Sequence, residues 1–218
     1  MEPSETREAL LDAAETLFAR NGVERASLRA ITREARANLA SVHYHFGSKD
    51  ALIQAVFARR LGPINRKRID RLTELEDASG GKAVPVRDVL RAFVEPVMQM
   101  LRQGSITEVR SAHDLARLVV QTLSNPEGPA RDIVLDEFRE VKERFLAALA
   151  RALPELPPEE LHWRFHFAIG AMAHTASTGY VVQEISGGLC DASDVEGTTE
   201  RLIAFLAAGL SCPIEEER

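Results

Sequence analysis

The apolar positions recur with helical period almost from end to end. From Glu5 to Asn21, Ala9, Leu10, Ala13, Ala14, Leu17 and Phe18 form one stripe, which predicts an amphipathic helix. Asn21-Gly22 follows the last periodic residue, and Gly22 can take the left-handed conformation that stops a helix. Leu28, Ile31 and Ala35 give the buried side of a second helix, with Ser27 as its N-cap. Asn38 caps a third, running about Leu39 to Phe46, with Val42 and Phe46 inward at i and i+4. Gly47 ends it, and Ser48 caps a fourth that continues through Leu52, Val56, Phe57 and Leu61. Gly62-Pro63 predicts a kink there, and helical character resumes through Ile64, Ile69 and Leu72 beside the basic run Arg66-Lys67-Arg68.

Residues 77–84, DASGGKAV, read as a loop, and only helices follow. Stripes run through Val86–Leu101 (with Pro96 as a kink), Leu115–Leu123, Ile133–Leu149, and a long segment from Glu159 to about Ser186. In that segment Leu161, Phe165, Ile169, Met172, Ala176 and Tyr180 point inward. Ser193-x-x-Glu196 fits a capping box for a last helix carrying Leu202, Ile203, Phe205, Leu206 and Leu210. The expected fold is all-α.

Between Ser27 and Leu52 the order of helix, tight turn, short second helix and capped third is what a helix-turn-helix needs to put its second helix in the major groove. Ser41, His43, Tyr44 and His45 crowd the outward side of a helix barely two turns long. Charge sharpens this. The net charge is −6, but residues 1–72 carry 13 Lys/Arg against 9 Asp/Glu, while the remainder carries 14 against 24. A basic first third on an acidic body is the asymmetry of a nucleic-acid-binding head joined to a separate partner domain.

The run ANLASVHYHFGSKDAL, with the preceding SLRAI and the Asn-Gly that ends the first helix, resembles the DNA-binding head of TetR/AcrR-family transcriptional regulators over about residues 5–60. The resemblance implies a head at 1–50, a connecting helix from about 48 to 76, and a ligand-binding and dimerisation domain at 51–218. It implies that Arg29, Leu39, Ala40, Ser41 and His43 read base edges, whereas Ser27, Tyr44, His45 and Lys49 hold phosphates. It further implies a palindromic operator and a homodimer formed through the helices at about 159–186 and 195–211. A small-molecule effector, apolar or amphipathic, would sit in the body, with Phe93, Met100, Phe138, Phe165, Met172 and His174 as candidate pocket residues. Two positions depart from the family pattern. Arg36 stands where the turn glycine is usual, which leaves two expectations for the turn, strain or a slightly different form, and His43 stands where many members have tyrosine or asparagine, so base preference does not carry over.

Other chemistry finds little support in the sequence. His162 and His166 are four apart on a helix, a metal-compatible spacing, but no third ligand is evident. No nucleophile elbow, phosphate loop or paired carboxylates stand out, so neither enzyme activity nor a cofactor is expected. Cys190 and Cys212 read as free thiols of a reducing cytoplasm. No apolar run reaches a membrane span, and the first residues do not form a signal peptide. The sequence is read as a homodimeric, ligand-responsive transcriptional regulator, a repressor; the alternatives are a DNA-binding regulator controlled by a protein partner or not at all, and an all-α enzyme with an incidental hairpin.

Overall fold

A computed structural model describes the backbone of residues 3–102 and 106–214 and the side chains of 4–101 and 113–214. Among these residues all regular structure is helical, as the stripes predict. The chain divides into two compact units, residues 1–63 with 114–139, and residues 64–113 with 140–218. The unit that holds the hairpin is thus larger than a 1–50 head, because the C-terminal half of one helix and the whole of the next join it.

In the first unit, α1 (Pro3–Asn21) packs on both α2 (Leu28–Glu34) and α3 (Leu39–Phe46). Leu10, Ala14 and Phe18 of its stripe are fully buried, as are Ile31 of α2 and Val42 of α3. Eight residues cannot hold a helix in water alone, so α3 depends on that buried Val42. The start of α4 (Lys49–Ala78) closes the core with Leu52, Ile53, Val56 and Phe57. Arg59 of α4 spans to α1, meeting Asp12 at 2.8 Å, Glu15 at 2.7 Å and Glu8 at 3.3 Å. The end of α6 (Ile106–Leu123) and α7 (Pro129–Glu137) complete the unit. There Arg117 donates to the Ala19 carbonyl at 3.2 Å, and Gln121 lies under Gly22.

In the second unit α5 (Val86–Arg102), α9 (Pro158–Thr178) and α11 (Val195–Leu210) pack mutually. The rest of α4 and α8 (Arg139–Ala152) bring Leu72, Phe145 and Leu149 to the same core. Phe93 sits 5.2 Å, ring centre to ring centre, from both Phe145 and Phe165. Arg164 of α9 donates to the carbonyls of Leu210 at 2.9 Å and Gly209 at 3.3 Å, satisfying acceptors that the end of α11 leaves open.

Four details differ from the sequence reading. The stripe at 133–149 is two helices, parted at Phe138, whose φ of −101° and ψ of 0° turn its N–H to Leu135 at 3.2 Å. The long segment from 159 stops at Thr178, and α10 (Val181–Ile185) follows. A Cβ at Gly179 would lie 2.5 Å from the Thr175 carbonyl oxygen, so only glycine allows that tight passage. Tyr180, expected inward, is 56% exposed. The cap of α11 is Asp194, whose carboxylate accepts from Gly197 N at 2.8 Å, while the Ser193 hydroxyl donates to Asp191 at 2.6 Å instead. Pro63 and Pro96 lie inside α4 and α5, which run on through them. Among the described residues no helix is long and apolar enough to cross a membrane.

Candidate nucleic-acid interface

Local chemistry sets the hairpin. The Ser27 hydroxyl accepts from Ala30 N at 3.2 Å and opens α2. At its other end Ala37 N reaches back to Thr32 O at 2.9 Å and Arg36 N to Arg33 O at 3.2 Å. That pair of bonds is the Schellman closure, whose C′ residue must be left-handed. Here that residue is Arg36, at φ +51°, the one non-glycine with positive φ among the described residues. Of the two expectations for this turn, the form is the usual one and the backbone cost of a left-handed L-residue falls on Arg36. Asn38 then caps α3, its Oδ1 accepting from Ser41 N at 2.8 Å, and Gly47 ends α3 at φ +80°.

The residues assigned to base reading are outward. Leu39 is 43% exposed, Arg29, Ala40 and His43 are exposed, and Ser41 is half-buried. The Ser41 hydroxyl donates to Asn38 Oδ1 at 3.0 Å, which leaves it only acceptor capacity toward a base. His43 Nδ1 lies 3.0 Å from the Gly47 carbonyl.

Of the phosphate set, Tyr44 is 79% exposed. His45 is half-buried, edge-on to Tyr44 at 4.9 Å. The exposed Ser27 keeps its hydroxyl proton free of the cap bond, since there the oxygen accepts. Ser48 accepts from Ala51 N at 3.1 Å and opens α4. Lys49 starts that helix, with Nζ at a long 3.4 Å from the Glu24 carbonyl. Arg7, which the sequence reading passed over, stacks its guanidinium over Phe46 at 5.4 Å and steadies the end of α3.

The candidate effector residues do not form one set. Phe93, Phe165 and Met172 share the packed core of the second unit, and Met100 is half-buried on α5. His174 is exposed, with its ring against the Thr178 hydroxyl. Phe138 belongs to the first unit. A cavity of about 300 Å³ in the first unit is lined by Asn21–Arg25, Gln121, Thr122 and Asn125. An open one of about 550 Å³ in the second is lined by Tyr180, Gln183, Glu184, Gly187 and Gly188. Neither takes in the six candidates. His162 Nδ1 faces the Pro158 carbonyl at 2.7 Å, and no group of three metal-ligating side chains occurs among the described residues.

Arg68 belongs in sequence to a basic run, whose ordinary meaning is a solvated face, yet it is 1% exposed. The signal was there in the period, since Ile64, Arg68 and Leu72 occupy one i, i+4, i+8 row.

Residues 10–56 match the family described as bacterial regulatory proteins, tetR family. Residues 91–209, more than half of the chain, match the tetracyclin repressor-like C-terminal domain. The chain is 48% identical over 147 residues to the HTH-type nicotine-responsive transcriptional repressor HdnoR of Paenarthrobacter nicotinovorans, covering 66% of this chain and 70% of that protein. It is 40% identical over 63 residues to the HTH-type transcriptional regulator SrpR of Pseudomonas putida, covering 29% and 30% respectively. Among solved structures, the fatty acid degradation regulator FadR of Bacillus halodurans superposes with a TM-score of 0.63 at 16% identity, over 94% of this chain and 96% of that one. A SmeT–triclosan complex does so with 0.61 at 19% identity, over 98% of each. At those identities the superpositions establish a shared fold.

Proposed function

The chain belongs to the TetR family of bacterial regulatory proteins and is a DNA-binding transcriptional regulator; on that premise we propose that it is a homodimeric repressor of a palindromic operator, released by a small molecule. The observation that carries the DNA half is the hairpin itself. Asn38 fixes the start of α3 so that Leu39, Ala40 and His43 stand outward together, where an inserted recognition helix meets base edges. Ser27, Tyr44, His45 and Lys49 flank that edge and set register on phosphates.

Dimerisation is supported by α9 and α11. Both helices bury one face in the core, yet Trp163, Phe167 and Phe205 stand 53%, 62% and 71% exposed. Aromatic side chains of that size left in water mark an interaction surface, and a self-complementary one is the commonest kind. A dimer places two copies of α3 about one turn of DNA apart.

Effector control is supported by the C-terminal family match and by a relative whose name records a response to nicotine. The test is a random-site selection on purified protein, followed by operator titrations with and without candidate molecules. A selected palindrome, with affinity that falls as an effector is added, is the expected result. Failure to select any DNA overturns the whole reading. A bound operator indifferent to every small molecule leaves a regulator governed by a protein partner or by abundance alone.

A further inference from the structure

Arg68 heads the fully buried side chains by volume, at 1% exposed. Burying a cation is expensive unless an anion meets it. Among the described residues its surroundings supply none: Nε donates to the Phe93 carbonyl at 2.8 Å, Nη1 to the Asn65 side-chain oxygen at 3.2 Å, and Nη2 reaches Met172 Sδ at 3.3 Å. Cζ lies 4.3 Å from the centre of the Phe93 ring. Among the described residues no carboxylate pairs with it, and desolvation pushes its pKa down to about 9. At neutral pH the group is still a cation.

Shape and hydrogen bonding do not explain that charge. A neutral amide could serve the Phe93 carbonyl and the Asn65 oxygen equally well. The third partner is informative. A thioether is a weak acceptor, carried on an unbranched side chain with three rotatable bonds that adapts readily to a change of neighbour. One edge of a planar donor fork is thus held by the poorest acceptor available, beside a side chain that can swing aside. A carboxylate is the geometric match to such a fork.

We infer that Arg68 anchors an anionic effector, a small organic carboxylate whose oxygens displace Met172 Sδ from the guanidinium; the core around Phe93 and Phe165 is packed, so its apolar body enters only as the Met172 side chain swings aside. This rests on the effector reading above and narrows it to a chemical class. A carboxylate supplies the missing counter-charge. A protonated amine, nicotine included, sets a second cation against the first, and a primary amide leaves the charge uncompensated. Arg68 is carried on α4, the helix that opens with Lys49, so a ligand held there bears on the element that also carries a phosphate contact.

The test uses the full-length protein with two matched trios: phenylacetate, phenylacetamide and 2-phenylethylamine, then hexanoate, hexanamide and hexylamine. Calorimetric titration is expected to show, in at least one trio, the carboxylate bound at least tenfold more tightly than its amide and amine. The same carboxylate weakens operator binding. Arg68→Met abolishes the preference. Met172→Leu, which removes the sulfur but keeps the bulk, retains it; should Arg68→Met not fold, Arg68→Lys, which keeps the charge but loses the planar fork, is expected to weaken the preference, and an unchanged preference there overturns the assignment. Equal binding within both trios, or no binding by either carboxylate, overturns the assignment. If an amide or amine releases the operator while the carboxylates do not, the effector reading stands and the anion fails. If no compound in these trios or in a wider screen changes operator affinity, the effector reading itself has failed.

Discussion

His43 Nδ1 sits 3.0 Å from the carbonyl oxygen of Gly47, the residue that ends the recognition helix. A carbonyl can only accept, so the proton of the neutral ring is on Nδ1 and Nε2 is left as an outward acceptor. In the major groove such an acceptor meets the exocyclic amino group of adenine or cytosine. His43→Ala is expected to relax discrimination at one base pair of each half-site, by about 1–3 kcal/mol, with little change in non-specific affinity. Binding to single-position operator variants measures it. A loss shared by all sequences would move His43 to the phosphate-contacting group.

Arg36 closes the Schellman turn at φ +51°, with its side chain exposed. The left-handed conformation costs an L-residue about 1–2 kcal/mol, and part of that gain returns as the extra chain entropy of glycine in the unfolded state. Arg36→Gly should therefore stabilise the protein by about 0.5–1 kcal/mol, read as a higher urea midpoint at unchanged slope. A lower midpoint would mean that the arginine side chain contributes more than its backbone costs.

The roles proposed for Lys49 and Arg29 separate two kinds of contact. Lys49 Nζ makes only a long 3.4 Å bond to the Glu24 carbonyl, so its charge remains available to a phosphate. Lys49→Ala should weaken binding to every sequence and flatten the logarithmic salt dependence by about one unit per half-site. Arg29→Ala should instead loosen sequence preference. Identical behaviour of the two variants across salt and operator series would refute the separation.

The legible part of this fold is the local part. Ser27, Asn38 and Ser48 cap where expected because each needs only an amide three residues ahead. Ser193 misled because its neighbour Asp194 is an equally good cap, and the tie is broken by Asp191, which takes the serine hydroxyl. Arg68 hid in a basic run, whose ordinary meaning is a solvated face, and only its place in the row from Ile64 to Leu72 pointed inward. The effector candidates were gathered by residue type. Type does not encode tertiary neighbourhood, so Phe138 went to a different compact unit from Phe93.

Glu200 joins α11 to α5. Arg91 forks onto its carboxylate, with Nη2 at 2.9 Å, and Arg87 adds a bond at 3.2 Å. The Arg91 hydrogen bond, chief among these, holds the Glu200 carboxyl down to about 2. A carboxyl depressed on folding adds stability that is complete above its usual value of 4.5 and is lost as the pH falls from there toward 2. Glu200→Gln should lower the melting temperature slightly at pH 7, the pair being solvent-exposed, and should flatten the decline between pH 4.5 and 2. Parallel melting curves for both proteins across that window would show that the pair contributes nothing.

Trp163 and Phe167 lie one turn apart on α9, ring centres 5.9 Å from each other. Phe205 stands out from α11, which packs on α9. The opposite sides of these helices already carry the core residues Leu161, Phe165, Ile203 and Leu206. A helix apolar on both faces is normally covered on both, and in the proposed homodimer a second copy of the same surface covers it about a two-fold axis. The double variant Trp163→Glu, Phe205→Glu places a like charge at each site in both copies, which should give half the wild-type mass in sedimentation while the helical circular dichroism persists. Because the two half-sites are then bound independently, operator affinity should fall at least about 10²-fold, with affinity for an isolated half-site unchanged. A variant that still sediments as a dimer would place the interface on another face.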